Sequence, residues 1–309
     1  MRKIIFTSLL LLGIAFILNA QQMNVATYNL RNANKNDSIN GNGWGHRCPV
    51  VADLIRFHDF DIFGTQEGKY DQLQQLKAAL PGYDYTGVGR DDGKRAGEHS
   101  AIFYKTDKFE LLKHGDFWLS TVTDRPNKGW DAALPRICSW GEFREKETGF
   151  TFLFFNLHMD HIGVKAREES SKLVLREIGE INKDLPVILT GDFNVDQNHA
   201  CYAVLNNSGT LKDSYEKAEF IYATNGTFNN FKTNLKTNSR IDHLFLSPVF
   251  KVKRYGILTD TYRVPVEGSK EGIKSGNFPK EVSLHQYEAR VPSDHFPVMI
   301  VVDYGEGLK

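Results

Sequence analysis

The amino-acid sequence predicts a fold of the α/β or α+β class, because apolar strand-like runs and amphipathic helical stretches intermix along the chain. Residues 164–182 carry apolar side chains on one broad helical face. Residues 187–190 form a short apolar run that is typical of a buried strand. No linker interrupts this pattern after residue 21, so we expect one domain that spans residues 21–309.

The first twenty residues differ in composition from the rest of the chain. Arg2 and Lys3 precede a nearly continuous apolar run at 4–18, and Ala20 ends the segment. This pattern is typical of a secretory signal peptide at residues 1–20. The alternative is a membrane anchor, but the run is shorter than the roughly 20 apolar residues that span a bilayer. We therefore expect an exported protein, periplasmic or extracellular, with no transmembrane segment in its mature chain.

The charge balance does not favour a protein that binds nucleic acid through its overall field. The chain has 38 basic and 38 acidic residues, and residues 1–20 contain two of the basic ones and no acidic one. The mature chain would keep 36 basic against 38 acidic residues, a net charge of −2 with histidine neutral. The sequence still allows a local basic groove, but Arg90, Lys94 and Arg95 offer only a small basic patch.

The cysteine count gives little functional information. An exported protein with Cys48, Cys138 and Cys201 has at least one unpaired thiol, and the sequence does not choose a pairing. Cys138 falls in a predicted strand, where it is expected as a small core residue. Without a Cys-x-x-Cys motif, the sequence favours neither a cysteine hydrolase nor a zinc site.

The first half of the chain begins with a predicted strand at 23–28. Pro49 is suited to a first helical turn, so we expect a helix from Pro49 to about Phe57. A short buried strand at 62–65 precedes a helix at 70–80, which Pro81 and Gly82 end. Two runs at 101–104 and 109–112 are interpreted as paired strands, and the polar segment at 90–97 as a surface loop.

The second half continues the same pattern of apolar runs. We expect a loop at 121–133 and, besides the helix at 164–182, strands at 137–143, 151–155, 187–190, 241–246, 251–257 and 297–302. A further loop is expected at 268–279.

Polar residues follow several of these strands directly. Asn29, Glu67, His158 and Asp192 each stand at the end of an apolar run. Because strand ends and the loops after them can meet on one edge of a sheet, we expect these side chains to converge.

Two of these strand ends carry acidic residues whose chemistry suits a phosphate ester site. Glu67 is the strongest candidate metal ligand, since a hard divalent cation prefers carboxylate oxygen. Asp192 and Asn194 flank Phe193 and point to the same side of an extended segment, where they can orient a water and hold a phosphate oxygen. The alternative is an Asp/Asn turn after a strand.

Histidines supply the proton-transfer chemistry. Asp242 lies in an apolar strand, and a buried carboxylate needs a partner such as His295. His295 would then be a general base or a phosphate ligand, although a structural Asp–His pair is the alternative. His158 is a candidate donor to the leaving group, and Glu98 a candidate hydrogen-bond partner for one of the imidazoles.

Two further residues are candidate substrate contacts. Arg136 can clamp a phosphate oxygen. Trp130 either lines the substrate pocket or packs within its loop.

Six short motifs together resemble the endonuclease/exonuclease/phosphatase superfamily, most closely its exported bacterial branch. They occur in the family's order along the chain: Ala26-Thr27-Tyr28-Asn29-Leu30-Arg31, Thr65-Gln66-Glu67, Asn156-Leu157-His158, Gly191-Asp192-Phe193-Asn194, Arg240-Ile241-Asp242-His243 and Ser293-Asp294-His295-Phe296-Pro297. The resemblance implies a DNase I-like two-sheet β-sandwich flanked by helices, in four layers α/β/β/α. It also implies a phosphoesterase that depends on Mg²⁺ or Mn²⁺.

The resemblance assigns roles by position. It implies that Glu67 holds the metal, helped by Asn29 and Asp294. It implies a catalytic pair of Asp242 and His295, with Asp192 and Asn194 positioning water and phosphate and His158 at the leaving group. Arg31 stands where some abasic-site enzymes of the family have an acidic ligand, so the number of metals, one or two, stays open.

These observations predict a monomeric phosphoesterase in which water attacks phosphorus in line. Either Asp192, or His295 supported by Asp242, would take the proton from water. The substrate class stays open among nucleic acids or nucleotides, phospholipids, and inositol or sugar phosphates. The alternative from another class is an exported binding protein that keeps the fold without catalysis.

Overall fold

The structure is a computed structural model that describes residues 21–182, 184–266, 268, 277, 279 and 281–305. The predicted signal peptide at 1–20 lies outside the described residues, as does most of the loop expected at 268–279. None of the helices in the described part is both long and apolar enough to cross a membrane.

Two large mixed sheets form the centre of the molecule. The first has seven strands, in the order β12-β14-β17-β1-β2-β6-β4, and the second has six, in the order β11-β13-β10-β9-β8-β7. Two-stranded sheets pair β15 with β16 and β3 with β5. The strands are β1 Gln21–Asn29, β2 Ile62–Gln66, β3 Gly68–Lys69, β4 Tyr83–Thr86, β5 Glu98–His99, β6 Ile102–Lys105, β7 Phe109–Trp118, β8 Ile137–Glu145, β9 Thr151–His158, β10 Val187–Asp192, β11 Lys212–Asp213, β12 Phe220–Tyr222, β13 Asp242–Leu246, β14 Lys251–Ile257, β15 Tyr262–Pro265, β16 Tyr287–Arg290 and β17 Val298–Tyr304.

Helices cover the outer faces of both large sheets, so the four-layer α/β/β/α arrangement is confirmed. They are α1 Lys35–Ile39, α2 Trp44–Phe57, α3 Tyr70–Ala79, α4 Val164–Asn182, α5 Ala200–Asn206 and α6 Ser214–Lys217. The apolar core between the sheets includes Val25 and Phe154. A second core lies between the six-stranded sheet and the helices α4 and α5, and a third packs α2 and α3 against the seven-stranded sheet.

The helix predicted to start at Pro49 begins five residues earlier, at Trp44. Trp44 and Cys48 are one helical turn apart, and both are buried in the core beside the seven-stranded sheet. This packing extends the helix past the proline, which removes only one main-chain hydrogen bond from a helix of 14 residues. The interpretation of Pro49 as the first helical turn is therefore wrong.

The predicted pairing of the strands near 101–104 and 109–112 is also wrong. β6 pairs with β2 and β4 in one sheet, whereas β7 pairs with β8 in the other. The short connection between them crosses from sheet to sheet. Nζ of Lys105 and Nζ of Lys108 both bind the carboxylate of Asp61, at 2.8 and 2.7 Å, which ties the two ends of this crossover together.

The sheet pairing places the predicted polar strand ends at one rim. β1 runs parallel to β2 with Asn29 opposite Gln66, so Glu67 follows beside Asn29. In the other sheet β9 runs parallel to β10 with His158 opposite Asp192. β13 is antiparallel to β10, which places its first residue, Asp242, on the other side of Asp192.

A buried polar network joins the two sheets below this rim. Nδ2 of Asn156 donates to the main-chain oxygens of Thr65 and Ala101, and its Oδ1 accepts from Nε2 of Gln66 at 2.6 Å. Oγ1 of Thr190 donates to the same Oδ1 at 3.0 Å. The network holds the carboxyl ends of β2, β9 and β10 at a fixed separation, which positions the residues that follow them.

All three cysteines are free and buried. Cys138 belongs to the core between the six-stranded sheet and its helices, as expected for a small core residue.

Candidate active site

A cavity of about 350 Å³ opens at the rim where these strands end. Eight of the predicted site residues line it: Glu67, Glu98, Arg136, His158, Asp192, Asn194, Asp294 and His295. Asn29 and Asp242 contact those residues from below. The other lining residues are Arg31, Asn32, Arg90, Leu134, His161, Phe228 and Asn230. Residues from nearly the whole length of the described chain therefore meet at one place.

His295 and Asp242 form a buried pair. Nδ1 of His295 lies 2.9 Å from Oδ2 of Asp242, and Nε2 lies 3.7 Å from Oδ2 of Asp192. Burial disfavours the imidazolium, but the two carboxylates outweigh it and raise the pKa of His295 well above its ordinary value. His295 is therefore cationic at neutral pH.

Asp192 is the most central carboxyl group of the site. Its Oδ2 accepts from Nδ2 of Asn29 at 3.0 Å, and its Oδ1 accepts from the main-chain N–H of Asn194 at 2.9 Å. Burial and the nearby Asp242 charge raise the pKa of Asp192 to about 7, although His295 opposes them. A carboxyl group with this pKa is suited to accept a proton near neutral pH.

Asn194 is held in place by two backbone contacts. Besides the bond from its main-chain N–H to Asp192, its Nδ2 donates to the main-chain oxygen of Met159 at 3.0 Å. Its backbone has a φ of 51°, in the left-handed region. The side chain therefore reaches the cavity in a fixed orientation.

Glu67 is ionised and closely held by donors. Its Oε1 accepts from Nδ2 of Asn29 at 3.1 Å, and its Oε2 accepts from the main-chain N–H and Nδ2 of Asn32 at 3.0 and 2.9 Å. Burial alone would raise the pKa of Glu67, but the Asn32 N–H, the His295 charge and Asn29 together hold it below its ordinary value. An ionised, buried carboxylate at the cavity wall is a suitable ligand for a hard cation.

Asp294 is a second carboxyl group beside Glu67. Burial and the Glu67 charge raise the pKa of Asp294, and Arg31 opposes this with Nη1 3.4 Å from Oδ2. Two carboxylates that repel each other at a buried site are stabilised by a shared cation.

A different trio also has the spacing of a metal site. One ligand atom each from Asp192, Asp242 and His295 lie within 4.8 Å of one another. Nδ1 of His295, however, is already paired with Oδ2 of Asp242 at 2.9 Å, and an imidazole offers nitrogen, which a hard cation disfavours. The carboxylates of Glu67 and Asp294 supply oxygen alone, so their chemistry fits Mg²⁺ or Mn²⁺ better. Asn29, expected as a further ligand, directs its Nδ2 to Glu67, while its Oδ1 accepts the main-chain N–H of Arg31 at 2.9 Å.

Arg136 presents a free donor to the cavity. Its Nε lies 3.2 Å from Oδ2 of Asp160, and its Nη2 lies 2.9 Å from Nδ1 of His161. Its Nη1 is buried and has no hydrogen-bond partner among the described residues. A buried donor without a partner is costly, and an anionic oxygen in the cavity would satisfy it.

The expectation that Glu98 hydrogen-bonds an imidazole is wrong. Oε2 of Glu98 lies 3.8 Å from Nδ1 of His158, which is too long for a hydrogen bond. The same oxygen instead lies 2.6 Å from Nη1 of Arg90, because a guanidinium is the stronger partner for a buried carboxylate. Burial and the charges of Arg136 and Arg90 hold the pKa of His158 well below its ordinary value, so its ring is neutral.

Trp130 is not among the residues that line the cavity. It is partly buried and packs against the core beneath the six-stranded sheet, as the packed-loop alternative expects.

Backbone strain concentrates at this site. Seven non-glycine residues of the described chain have a positive φ, and four of them, Arg31, Glu67, Asn194 and Asn230, line the cavity. Such conformations cost free energy and persist where the surroundings enforce them, as at functional sites.

Two residues that complete the site are not predicted as site residues from sequence. Arg90 is buried and lines the cavity, although its segment predicts a surface loop. Asn32 follows the first strand by three positions and binds Glu67. Its proximity to Asn29 is the available signal, whereas Arg90 gives none. His161, three residues after His158, ranks below the other two histidines from sequence, and it contacts Arg136.

Comparison with known proteins agrees with this geometry. The family model described as "Endonuclease/Exonuclease/phosphatase family" matches residues 26–295. The chain belongs to this family. Members of the family are hydrolases that act on phosphoester bonds, and they are typically dependent on a divalent metal.

Two solved structures from Bacteroides thetaiotaomicron are similar over nearly the whole chain. An endonuclease/exonuclease/phosphatase family protein is 59% identical with a TM-score of 0.86, over 93% of this chain and 99% of that one. A mannosyl-6-phosphatase is 60% identical with a TM-score of 0.84, over 91% of this chain and 100% of that one. The bacterial branch of the family is thereby supported.

A more distant relative is the CCR4-Not complex 3'-5'-exoribonuclease subunit Ccr4 of Debaryomyces hansenii. It is 24% identical over 83% of this chain, and the match covers only 35% of the yeast protein.

Proposed function

We propose that this protein is an exported, metal-dependent phosphatase that hydrolyses the phosphate monoester of a sugar. The observation that carries the proposal is the buried Arg136, which lines a cavity at the rim together with the catalytic carboxylates. Nη1 of Arg136 has no hydrogen-bond partner among the described residues. Arg90 lines the same cavity but is paired with Glu98 at 2.6 Å, so Arg136 supplies the available donor. A phosphate monoester has three unesterified oxygens, whereas a diester has two, so the monoester offers one more acceptor to this donor.

The similarity to a mannosyl-6-phosphatase supports the same substrate class. The site offers no support for a nucleic acid substrate. Arg90 pairs with Glu98, so the small patch that it was expected to form with Lys94 and Arg95 loses its buried member. A strand of nucleic acid needs a continuous track of basic groups along its phosphates.

A divalent cation would be held by the carboxylates of Glu67 and Asp294, with Asn29 orienting Glu67 through its Nδ2. When bound, Mg²⁺ or Mn²⁺ neutralises a phosphate oxygen and stabilises the negative charge that develops there. Arg31 already neutralises part of the Asp294 charge at 3.4 Å, so we favour one metal rather than two.

The side chains divide the proton chemistry between them. Asp192, with a pKa of about 7, accepts the proton of the attacking water. His295, which is cationic and oriented by Asp242, donates to a phosphate oxygen. His158 is neutral and donates one N–H to the leaving oxygen as a hydrogen bond. The departing sugar oxygen takes its proton from solvent water, and Asp192 returns the proton that it accepted to the solvent, so the step yields the sugar alcohol and inorganic phosphate. Arg136 Nη1 binds another phosphate oxygen.

The signal-peptide pattern at residues 1–20 supports the proposed export, and an exported enzyme would act outside the cytoplasm. Expression of the full chain in a bacterial host tests it. We expect the mature protein in the periplasm or medium with Gln21 at its N-terminus, and a cytoplasmic protein that retains Met1 would contradict export.

A substrate panel tests the activity. Mannose 6-phosphate, inositol phosphates, bis-p-nitrophenyl phosphate and single-stranded oligonucleotides would be compared with Mg²⁺, with Mn²⁺ and with EDTA. We expect the sugar monoester to be preferred at least ~10-fold in kcat/KM, with EDTA abolishing turnover. The Glu67→Gln variant serves as the control for a contaminating phosphatase.

Two outcomes would contradict the proposal. A preference for the diester or the oligonucleotide would replace the substrate class. Binding of mannose 6-phosphate without release of phosphate under any metal would favour the non-catalytic binding protein.

A further inference from the structure

A second groove adjoins the catalytic cavity. Its volume is about 680 Å³, and Asn230 lines both the groove and the cavity. Arg31 of the cavity wall pairs with Asp37 of the groove wall, with Nε 2.8 Å from Oδ2. The catalytic cavity and the groove therefore adjoin each other at these residues.

The groove presents uncharged hydrogen-bonding groups. The side-chain amides of Asn40, Asn230 and Asn234 line it, and none of the three has a hydrogen-bond partner among the described residues. Each amide offers two donor hydrogens and an acceptor oxygen. Such groups match the hydroxyls of a sugar, which both donate and accept.

Charge and polarity exclude other classes of ligand. Asp37 and Glu288 balance Lys232 and Arg290, so the described part of the groove carries no basic track for a nucleic acid. Phe231 is the one large apolar residue among the described residues of the wall, so a lipid chain or an apolar peptide would find little apolar surface there.

The groove wall is built in a fixed conformation. The main-chain N–H groups of Asn229 and Asn230 donate to the main-chain oxygen of Asp294 at 2.8 and 3.1 Å. Asn230 and Phe231 both have left-handed backbones, with φ of 53° and 57°. The wall is thus tied to a residue of the catalytic cavity, and a preformed wall spares a ligand the cost of ordering it.

The opposite wall is fixed by Arg290. Its Nη1 donates to the main-chain oxygen of Asn40 at 3.0 Å and to Oδ1 of Asn42 at 3.2 Å. These bonds connect β16 to the segment that follows α1.

We propose that this groove is a glycan subsite, so the substrate is an oligosaccharide whose terminal sugar carries the phosphate. The phosphorylated sugar occupies the catalytic cavity and the neutral sugars beyond it occupy the groove. This inference rests on the proposed sugar phosphatase activity and specifies the size of its substrate.

The test compares mannose 6-phosphate with a mannose trisaccharide that is phosphorylated at its terminal residue. We expect the trisaccharide to have a kcat/KM at least ~10-fold higher, mainly through a lower KM. A double variant, Asn40→Ala with Asn234→Ala, changes the groove but not the catalytic cavity and should reduce this ratio to nearly one. Asn207→Ala, an exposed amide directly after α5 and outside both spaces, is the matched control and should keep the ratio.

A binding measurement separates this inference from the proposed function. Saturation-transfer NMR with the unphosphorylated trisaccharide should show contacts in the wild type that the double variant loses. Equal kcat/KM for the two substrates, or a ratio that the double variant does not change, would overturn the subsite while leaving a sugar phosphatase. Absence of turnover with both substrates, with trisaccharide binding retained, would instead overturn the proposed function.

Discussion

Nδ2 of Asn29 lies 3.0 Å from Oδ2 of Asp192, and this contact joins the last residue of a strand in each large sheet. The same nitrogen lies 3.1 Å from Oε1 of Glu67. One amide group therefore holds the candidate base and the candidate metal ligand in a fixed relation across the sandwich. The reaction geometry depends on how the two sheets pack, since neither sheet contains both groups.

Replacement of Asn29 by alanine should remove one hydrogen bond to Asp192 and one to Glu67. Asp192 loses a donor while it stays buried, which costs about 1–3 kcal/mol of unfolding free energy. We expect kcat/KM to fall by about 10- to 100-fold because the base is no longer held. Urea unfolding and phosphatase kinetics measure the two effects. Asn24→Ala, which lies within β1 and loses a hydrogen bond to the main-chain oxygen of Asp59 away from the site, is the control. An unchanged kcat/KM in Asn29→Ala would remove Asn29 from the site.

The pair of Asp242 and His295 predicts a change in ionisation when Asp242 is replaced. Asp242→Asn removes the carboxylate that contributes most to raising the pKa of His295. The pKa of His295 should therefore fall, and turnover should fall by about 10²- to 10⁴-fold with it. NMR titration of the His295 ring measures the first effect.

A double-variant cycle separates the pair from two independent residues. If His295 acts through this pair, Asp242→Asn should add little to the loss already caused by His295→Ala. Independent, fully additive losses would show that the pair is structural only.

Substitution of alanine at two glycines should have opposite effects on the free energy of unfolding. A Cβ on Gly64 would lie 2.3 Å from Oδ1 of Asn156 and 2.4 Å from Oγ1 of Thr190, within the buried network between the sheets. A Cβ on Gly179, in the last turn of α4, would meet no neighbouring atom within 4 Å. Gly64→Ala should therefore lower the free energy of unfolding by about 1–3 kcal/mol, whereas Gly179→Ala should raise it by about 0.5–1 kcal/mol.

Chemical denaturation of the two glycine variants and the wild type measures the difference. If Gly64→Ala were as stable as Gly179→Ala, the two sheets would not be held at the separation that positions the site.

Most of the site could be predicted from sequence because each residue has a recognisable position relative to an apolar strand. Glu67, His158 and Asp192 follow apolar strands, and parallel pairing brings such ends to one rim. Asp242 is a carboxylate in an apolar strand, and a carboxylate in such a buried position requires a partner. These inferences need only strand periodicity and the cost of burying charge.

The remaining features depend on contacts that sequence spacing does not contain. Arg90 lies in a polar, glycine-rich segment that is typical of an exposed loop, and only its tertiary contact with Glu98 brings it into the cavity. The crossover from β6 to β7 has the same local pattern as a hairpin, and its direction is set by which sheet each strand joins. The start of α2 at Trp44 likewise follows from packing that outweighs the signal at Pro49.

The free energy of unfolding should decrease at acid pH in part because of Asp160, which binds Arg136. Its Oδ1 accepts the main-chain N–H groups of Ile162 and Gly163 at 3.0 and 2.8 Å, and its Oδ2 lies 3.2 Å from Nε of Arg136. Burial opposes ionisation, but these donors hold the pKa of Asp160 well below its ordinary value. Because the folded pKa is below the unfolded one, the stabilisation is complete above about pH 4 and is lost as the pH falls through the folded value.

Asp160→Asn should therefore be less stable than the wild type at neutral pH, and the gap should narrow as the pH falls below about 4. Urea unfolding of both proteins at a series of pH values measures the gap. Asp107→Asn, an exposed acidic residue between β6 and β7, controls for the general effect of acid. A gap that stays constant or widens on acidification would show that the Asp160 carboxylate is not stabilised by these donors, and Arg136 would then lack the anchor that directs its Nη1 to the substrate phosphate.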